Sequence, residues 1–150
     1  MYAQNVKATE QAAILGAIDP SSQAAGAATS GWISVANFQK LLAIVHTGVL
    51  GAGATVDAKI QQATSAAGAG AKDVAGAAIT QIVKATGDNK QAEINLDAQQ
   101  LDVEGGFGYV QLSVTVGTAA SETAALVLGF NSRFAPASDS NAASVAEIVG

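Results

Sequence analysis

The sequence contains no cysteine, a single histidine, a single arginine, two prolines and a single tryptophan. Without cysteine there is no disulfide framework, no thiolate metal site and no cysteine nucleophile. One histidine excludes a multi-histidine metal centre. The seven basic residues stand singly along the chain, which argues against nucleic-acid binding, because phosphate affinity needs clustered lysine and arginine. Charged residues make up 13% of the chain, about half the usual share in a soluble domain. Apolar runs are short: Leu41–Val45 stops at His46, far below the ~20 residues of a membrane-spanning helix. The first ten residues carry no basic segment followed by a long apolar one. A soluble chain made in a cytoplasm, with no membrane partner, is therefore expected.

Against these shortages stand 34 alanines and 16 glycines in 150 residues, with 49% of the chain apolar. That is one domain's worth of chain, with enough apolar material for a core. Mean hydropathy is +0.31 and net charge −5, a balance that argues against general disorder.

Ala12–Ile18 is a short apolar patch, and Asp19-Pro20-Ser21-Ser22 is a turn signal. Residues 24–30 are small and polar, so residues 1–30 read as an N-terminal arm. Patterning starts at Gly31. Phe38–Val45 is apolar and partly β-branched, as in a buried strand. From Ala54 to Thr64 the period is two: Val56, Ala58 and Ile60 on one face, Thr55, Asp57, Lys59 and Gln61 on the other. Residues 73–83 suit one or two short strands. Gln91–Asp97 alternates again, and Tyr109–Val116 puts Val110, Leu112, Val114 and Val116 on one face. Thr123–Phe130 is apolar on both faces. Seven or eight short strands at about ten-residue spacing, with glycine-rich turns, predict an all-β antiparallel sandwich or jelly-roll-like domain over 31–134. Residues 135–150 form a tail. Alanine favours helix, and a short helix suits Ala8–Leu15 or Ser144–Val149.

Chemistry-bearing motifs are sparse. Gly68-Ala69-Gly70-Ala71-Lys72-Asp73 differs from a phosphate loop, which needs glycine before the lysine and Ser or Thr after it. His46, with Asp57 to orient it, has no nucleophile elbow to serve. The cluster Asp97, Asp102 and Glu104 does not match an EF-hand, though it offers carboxylates for calcium; the other reading is an acid-rich solvated turn. Arg133, just after the last strand, suits a carboxylate between strands or subunits, or a plain exposed strand end. No catalytic residue, cofactor or metal is assigned, and no enzyme is expected.

Several stretches resemble a known group. They are Gly31-Trp32-Ile33-Ser34-Val35 with Leu42-Ala43-Ile44-Val45-His46-Thr47-Gly48; Thr55–Ile60; Gln91–Leu96; Tyr109–Val116; and Ala125-Leu126-Val127-Leu128-Gly129 leading to Arg133 and Ala135-Pro136. Over Gly31–Pro136 the chain resembles small β-rich accessory head proteins of tailed bacteriophages and related gene transfer agents. The resemblance implies a structural virion protein, a cement or decoration protein on the outer capsid surface. A neck or tail component, or a surface carbohydrate- or calcium-binding module, is the alternative. The implied partners are the major capsid protein and further copies of the chain, a trimer by capsid geometry. The implied location is the virion surface, after synthesis in the bacterial host cytoplasm. The residues expected to meet a partner are Ile14, Leu15, Trp32, Arg133, Val145, Ile148 and Val149, since apolar segments without cover imply one.

Overall fold

In the computed structural model, which describes residues 5–138 and 141–150, the chain folds into two facing antiparallel sheets. The eight main strands are β1 (Ala12–Gln23), β2 (Gly26–Thr29), β4 (Phe38–Thr47), β5 (Thr55–Ala63), β6 (Lys72–Ala78), β8 (Gln91–Asp97), β9 (Tyr109–Gly117) and β10 (Ser121–Ser132). Two short strands, β3 (Ile33–Ser34) and β7 (Ile82–Val83), extend the pairing of β9 and β5. One sheet runs β1-β10-β4-β8 and the other β2-β9-β5-β6. Taken in order, the first main strand pairs with the last, the second with the seventh, the third with the sixth and the fourth with the fifth. This nesting of one long hairpin, wrapped into two sheets, is a jelly roll. The expected fold class is what the chain adopts.

Strand alternation builds the core between the sheets. Val110, Leu112, Val114 and Val116 of β9 face Leu41, Ala43 and Val45 of β4, with Val56, Ala58 and Ile60 of β5 and Ile94 and Leu96 of β8 completing it. Each of these Val, Leu and Ile side chains contributes about 1.5–3 kcal/mol relative to exposure. Small residues permit close approach where large ones cross. A Cβ on Gly129 would lie 2.7 Å from both Leu15 Cδ1 and Phe38 Cδ1.

The N-terminal segment corrects the sequence reading. Residues 12–29 are not an arm: β1 and β2 each form an outer strand of a sheet. Their signal is hidden for two reasons. Register shifts after Ile14 and after Ile18 break the period of two. Gly16 sits so close to Ile33 that a Cβ would meet its Cδ1 at 2.8 Å, so small residues serve where a strand is expected to carry large ones. Among the described residues, helix at the N-terminus is confined to α1 (Ala8–Gln11), because Ala12 already pairs with Phe130. The Ser144–Val149 helix does not form; a short 3-10 turn covers Ala142–Ser144. The tail is tied to the β1 side by Ala137 N–H to Glu10 O (2.9 Å) and Asn141 N–H to Ile14 O (3.2 Å).

Candidate docking face

The outer faces of the two sheets differ in kind. On the β2-β9-β5-β6 sheet the outward side chains are mainly polar or small, with Val83 of β7 40% exposed beside Thr55, and several of the polar ones pair with one another. Lys59 Nζ donates to Asp73 Oδ2 at 2.9 Å, Gln61 Nε2 to Asp73 Oδ1 at 3.0 Å, Gln111 Nε2 to Gln61 Oε1 at 3.3 Å and Gln81 Nε2 to Asp57 Oδ2 at 2.8 Å. This face is built for water.

The β1-β10-β4-β8 sheet presents the reverse. Strand register sets its outward residues in rows: Ala17, Leu126, Ile44 and Glu93; then Ile14, Leu128, Leu42 and Asn95; then Ala12, Phe130, Lys40 and Asp97. The first three columns are apolar apart from Lys40. With strands ~4.8 Å apart and same-face residues ~6.7 Å apart, the apolar block covers about 300 Å². A patch of that order is often functional. Leu126 is 41% exposed, while Leu42, Ile44, Leu128 and Phe130 are half-buried. At the Phe130 end a groove of about 1010 Å³ opens between the sheet and the α1 side, lined by Val6, Gln11, Lys40, Leu42 and Phe130. At the other end a hollow of about 480 Å³ is lined by Ser22, His46, Asn89, Glu122 and Ala124.

The apolar face was written in the sequence as two strands with no polar side. A strand apolar on both faces reads as buried on both. In a two-layer sandwich only one face of each sheet can be buried. Two such strands, β4 and β10, lying side by side therefore leave their second apolar side without cover. Of the seven residues expected to meet a partner, Ile14 lies in this face. Leu15 is in the core, 4% exposed, on the inward side of β1 with Ala13, and the register shift after Ile14 turns Gly16 inward beside it. Trp32 is half-buried over the β5–β6 loop, where a Cβ on Gly68 would lie 2.5 Å from its Nε1. Arg133 is exposed at the Phe130 end; its backbone N–H donates to Asn37 O at 2.7 Å, and its guanidinium has no ion-pair partner among the described residues. Val145 is half-buried, and Ile148 and Val149 are exposed on the tail. Leu42, Ile44, Leu126, Leu128 and Phe130 are the partner-facing candidates that sequence reasoning missed.

The carboxylates considered for calcium are engaged otherwise. Asp97 binds Lys40 at 2.5 Å and caps the 3-10 turn Ala98–Gln100 through Gln99 N–H. Asp102 binds Lys72 at 2.6 Å and accepts from Gly105 N–H at 2.9 Å. The lysine hydrogen bond is the main cause holding each carboxyl below its ordinary value, with the backbone donor second. Among the described residues no three His, Cys, Asp or Glu side chains converge as metal ligands. Lys72 also lies 4.1 Å from the centre of the Phe107 ring. The lysine of the glycine-rich loop is thus engaged by an aspartate and an aromatic ring. His46 and Asp57 sit on different sheets, on strands β4 and β5, and are not brought together.

No family model matches the chain, and no curated protein matches it. Among solved structures it is similar to TmCBM61 in complex with β-1,4-galactotriose, at 11% identity and TM-score 0.39 over 70% of this chain. The chain spans 62% of the length of that structure. It is also similar to a chain of Desmodium yellow mottle tymovirus (10% identity, TM-score 0.42, 89% of this chain and 95% of that one). A third similarity is to the pili of Bacillus endospore appendages (19% identity, TM-score 0.37, 86% and 98%). Likeness at this level assigns no ligand, partner or location; the jelly roll rests on the chain's own strand order.

Proposed function

We propose that the chain is a structural virion protein that attaches to the outer surface of a capsid through the outer face of its β1-β10-β4-β8 sheet and reinforces the shell there. The observation that carries this reading is the asymmetry of the sandwich. One outer face is mainly polar, with Lys59, Asp73, Gln61 and Gln111 bonded to one another, and the other is an apolar block set with Leu42, Ile44, Leu126, Leu128 and Phe130. A rigid sandwich with one adhesive side suits a part that works by contact and not by turnover. The resemblance of Gly31–Pro136 to phage accessory head proteins points the same way. Assembly as a trimer around a local symmetry axis belongs to the same proposal.

Copy number in purified particles tests it. Quantitative mass spectrometry against the major capsid protein should give hundreds of copies per particle. A handful of copies would move the chain to the neck or tail. Its absence from particles, together with measurable binding to simple glycans in calorimetry, would replace the reading with a surface carbohydrate-binding module.

A further inference from the structure

The docking face is smaller than an interface. A stable contact takes about 800 Å² from each partner, and the apolar block supplies about 300 Å² of that. Any partner centred on the block must therefore also cover its margin. Four of the seven basic residues are held in ion pairs: Lys40–Asp97, Lys59–Asp73, Lys72–Asp102 and Lys84–Asp88. Three carboxylates at the margin are outside these pairs. Glu93 stands in the row of Ile44 and Leu126, Glu122 is on β10 beyond Ala124, and Asp19 follows Ile18 on β1. All three are exposed and without a basic partner among the described residues. Glu122 Oε2 accepts only Val49 N–H, at 3.2 Å. Lys90, just before β8 and bonded through its backbone to Thr47, is in no ion pair among the described residues.

We propose, building on the docking face of the preceding section, that its partner is a different protein whose contact surface is apolar at the centre and carries lysine or arginine opposite Asp19, Glu93 and Glu122. Covering these acids without counter-charge would remove three carboxylates from water, and basic groups opposite them relieve that cost. A second copy of the chain fits less well. Laid face to face about a two-fold axis along the strands, the acidic end would meet the acidic end of the other copy; about an axis across the strands, it would meet the Phe130 end. There Lys40 is already held by Asp97 and the Lys7 ammonium donates to the Gly150 carbonyl, which leaves Arg133 as the cation without a partner among the described residues to face three carboxylates. The margin therefore selects a basic partner surface and disfavours self-pairing through this face.

The test is binding of the purified chain to shells assembled from the major capsid protein alone, at 50 and 500 mM NaCl, with sedimentation of the free chain alongside. Wild type is expected to bind and to weaken at high salt. The double variant Asp19→Lys/Glu93→Lys should bind about tenfold more weakly at 50 mM and show little salt dependence. Both residues are exposed, and unchanged circular dichroism verifies the fold. Wild-type binding that neither salt nor the double variant alters would overturn the basic-partner inference and leave the docking face standing. Failure of wild type to bind at either salt would overturn both. Self-association of the free chain that Leu126→Glu abolishes would make a second copy the occupant and refute the inference.

Discussion

Gly129 sits on the inner side of β10, where Leu15 of β1 and Phe38 of β4 cross over it. Replacing it with alanine would put a Cβ 2.7 Å from Leu15 Cδ1, 2.7 Å from Phe38 Cδ1 and 2.8 Å from Phe38 Cγ. Neither neighbour can swing aside, since Leu15 and Phe38 are both buried in the core. Overpacking of this kind costs about 1–3 kcal/mol. The lost freedom of the unfolded chain offsets about 0.4–1 kcal/mol of that. The net expectation for Gly129→Ala is a loss of about 1–2 kcal/mol, or roughly 2–8 °C in Tm for a domain of this length. Gly108→Ala is the internal control: nothing lies within 4 Å of its Cβ position and its backbone needs no glycine. It should change stability by no more than about 0.5 kcal/mol, in the stabilising direction. Urea unfolding of both variants, with Phe38→Leu added to the first, measures the coupling. The double variant should lose less than the sum of its single changes, by about 1 kcal/mol. Equal stability of Gly129→Ala and wild type, or additive losses in the double variant, would refute the packing of β1 and β4 across this glycine.

Two further outcomes follow from the loops and the ion pairs. Gly68 has φ +79°, and a Cβ there would meet Trp32 Nε1 at 2.5 Å, whereas Gly53 has φ +68° and only a 3.8 Å contact with Thr118. Alanine at either costs about 1 kcal/mol of backbone strain, but only Gly68→Ala should also shift the emission of the single tryptophan; identical spectra would place Trp32 elsewhere. Asp73, Asp88, Asp97 and Asp102 are held below the ordinary carboxylate value, chiefly by hydrogen bonds from Lys59, Lys84, Lys40 and Lys72 respectively. Groups with a depressed folded pKa add stability above their unfolded pKa of about 3.9 and lose it as pH falls through the folded value. The urea midpoint should therefore drop as pH goes below about 4, less steeply in Asp97→Asn/Asp102→Asn than in wild type. Parallel profiles would show that these pairs do not persist in solution.

Much of the fold was legible where strands alternate. In β5, β8 and β9 every second residue is apolar up to Gln62 near the end of β5, and those apolar residues supply most of what the core buries there, with Gln62 and Ser113 as buried polar exceptions. The first two strands were not legible. A jelly roll pairs β1 with β10 and β2 with β9, contacts more than eighty residues apart in sequence, as in the pairings of Ala12 with Phe130 and Thr29 with Ser113. Local patterning carries no record of such a partner, and the bulges of β1 erase its own period. The docking face failed to be read for a different reason. β4 and β10 looked like strands buried on both sides, and the sequence does not say that the second layer covers only one of those sides. Ile14 was singled out from the apolar run of β1, which places one residue of the face correctly. Its neighbour Leu15 shares that composition and packs inward.

The central claim is that the β1-β10-β4-β8 face holds the chain to a capsid surface, and Leu126→Glu tests it most directly. Leu126 points outward on β10, the central strand of the apolar block, so a carboxylate there leaves the core untouched. Thr115→Glu, on the outer side of the opposite sheet, is the matched control. Co-sedimentation with particles lacking the chain should show wild type and Thr115→Glu bound alike and Leu126→Glu weakened at least about tenfold, the effect of losing a central contact residue. All three should share one far-ultraviolet spectrum. Binding of a folded Leu126→Glu as tight as that of wild type would contradict the account.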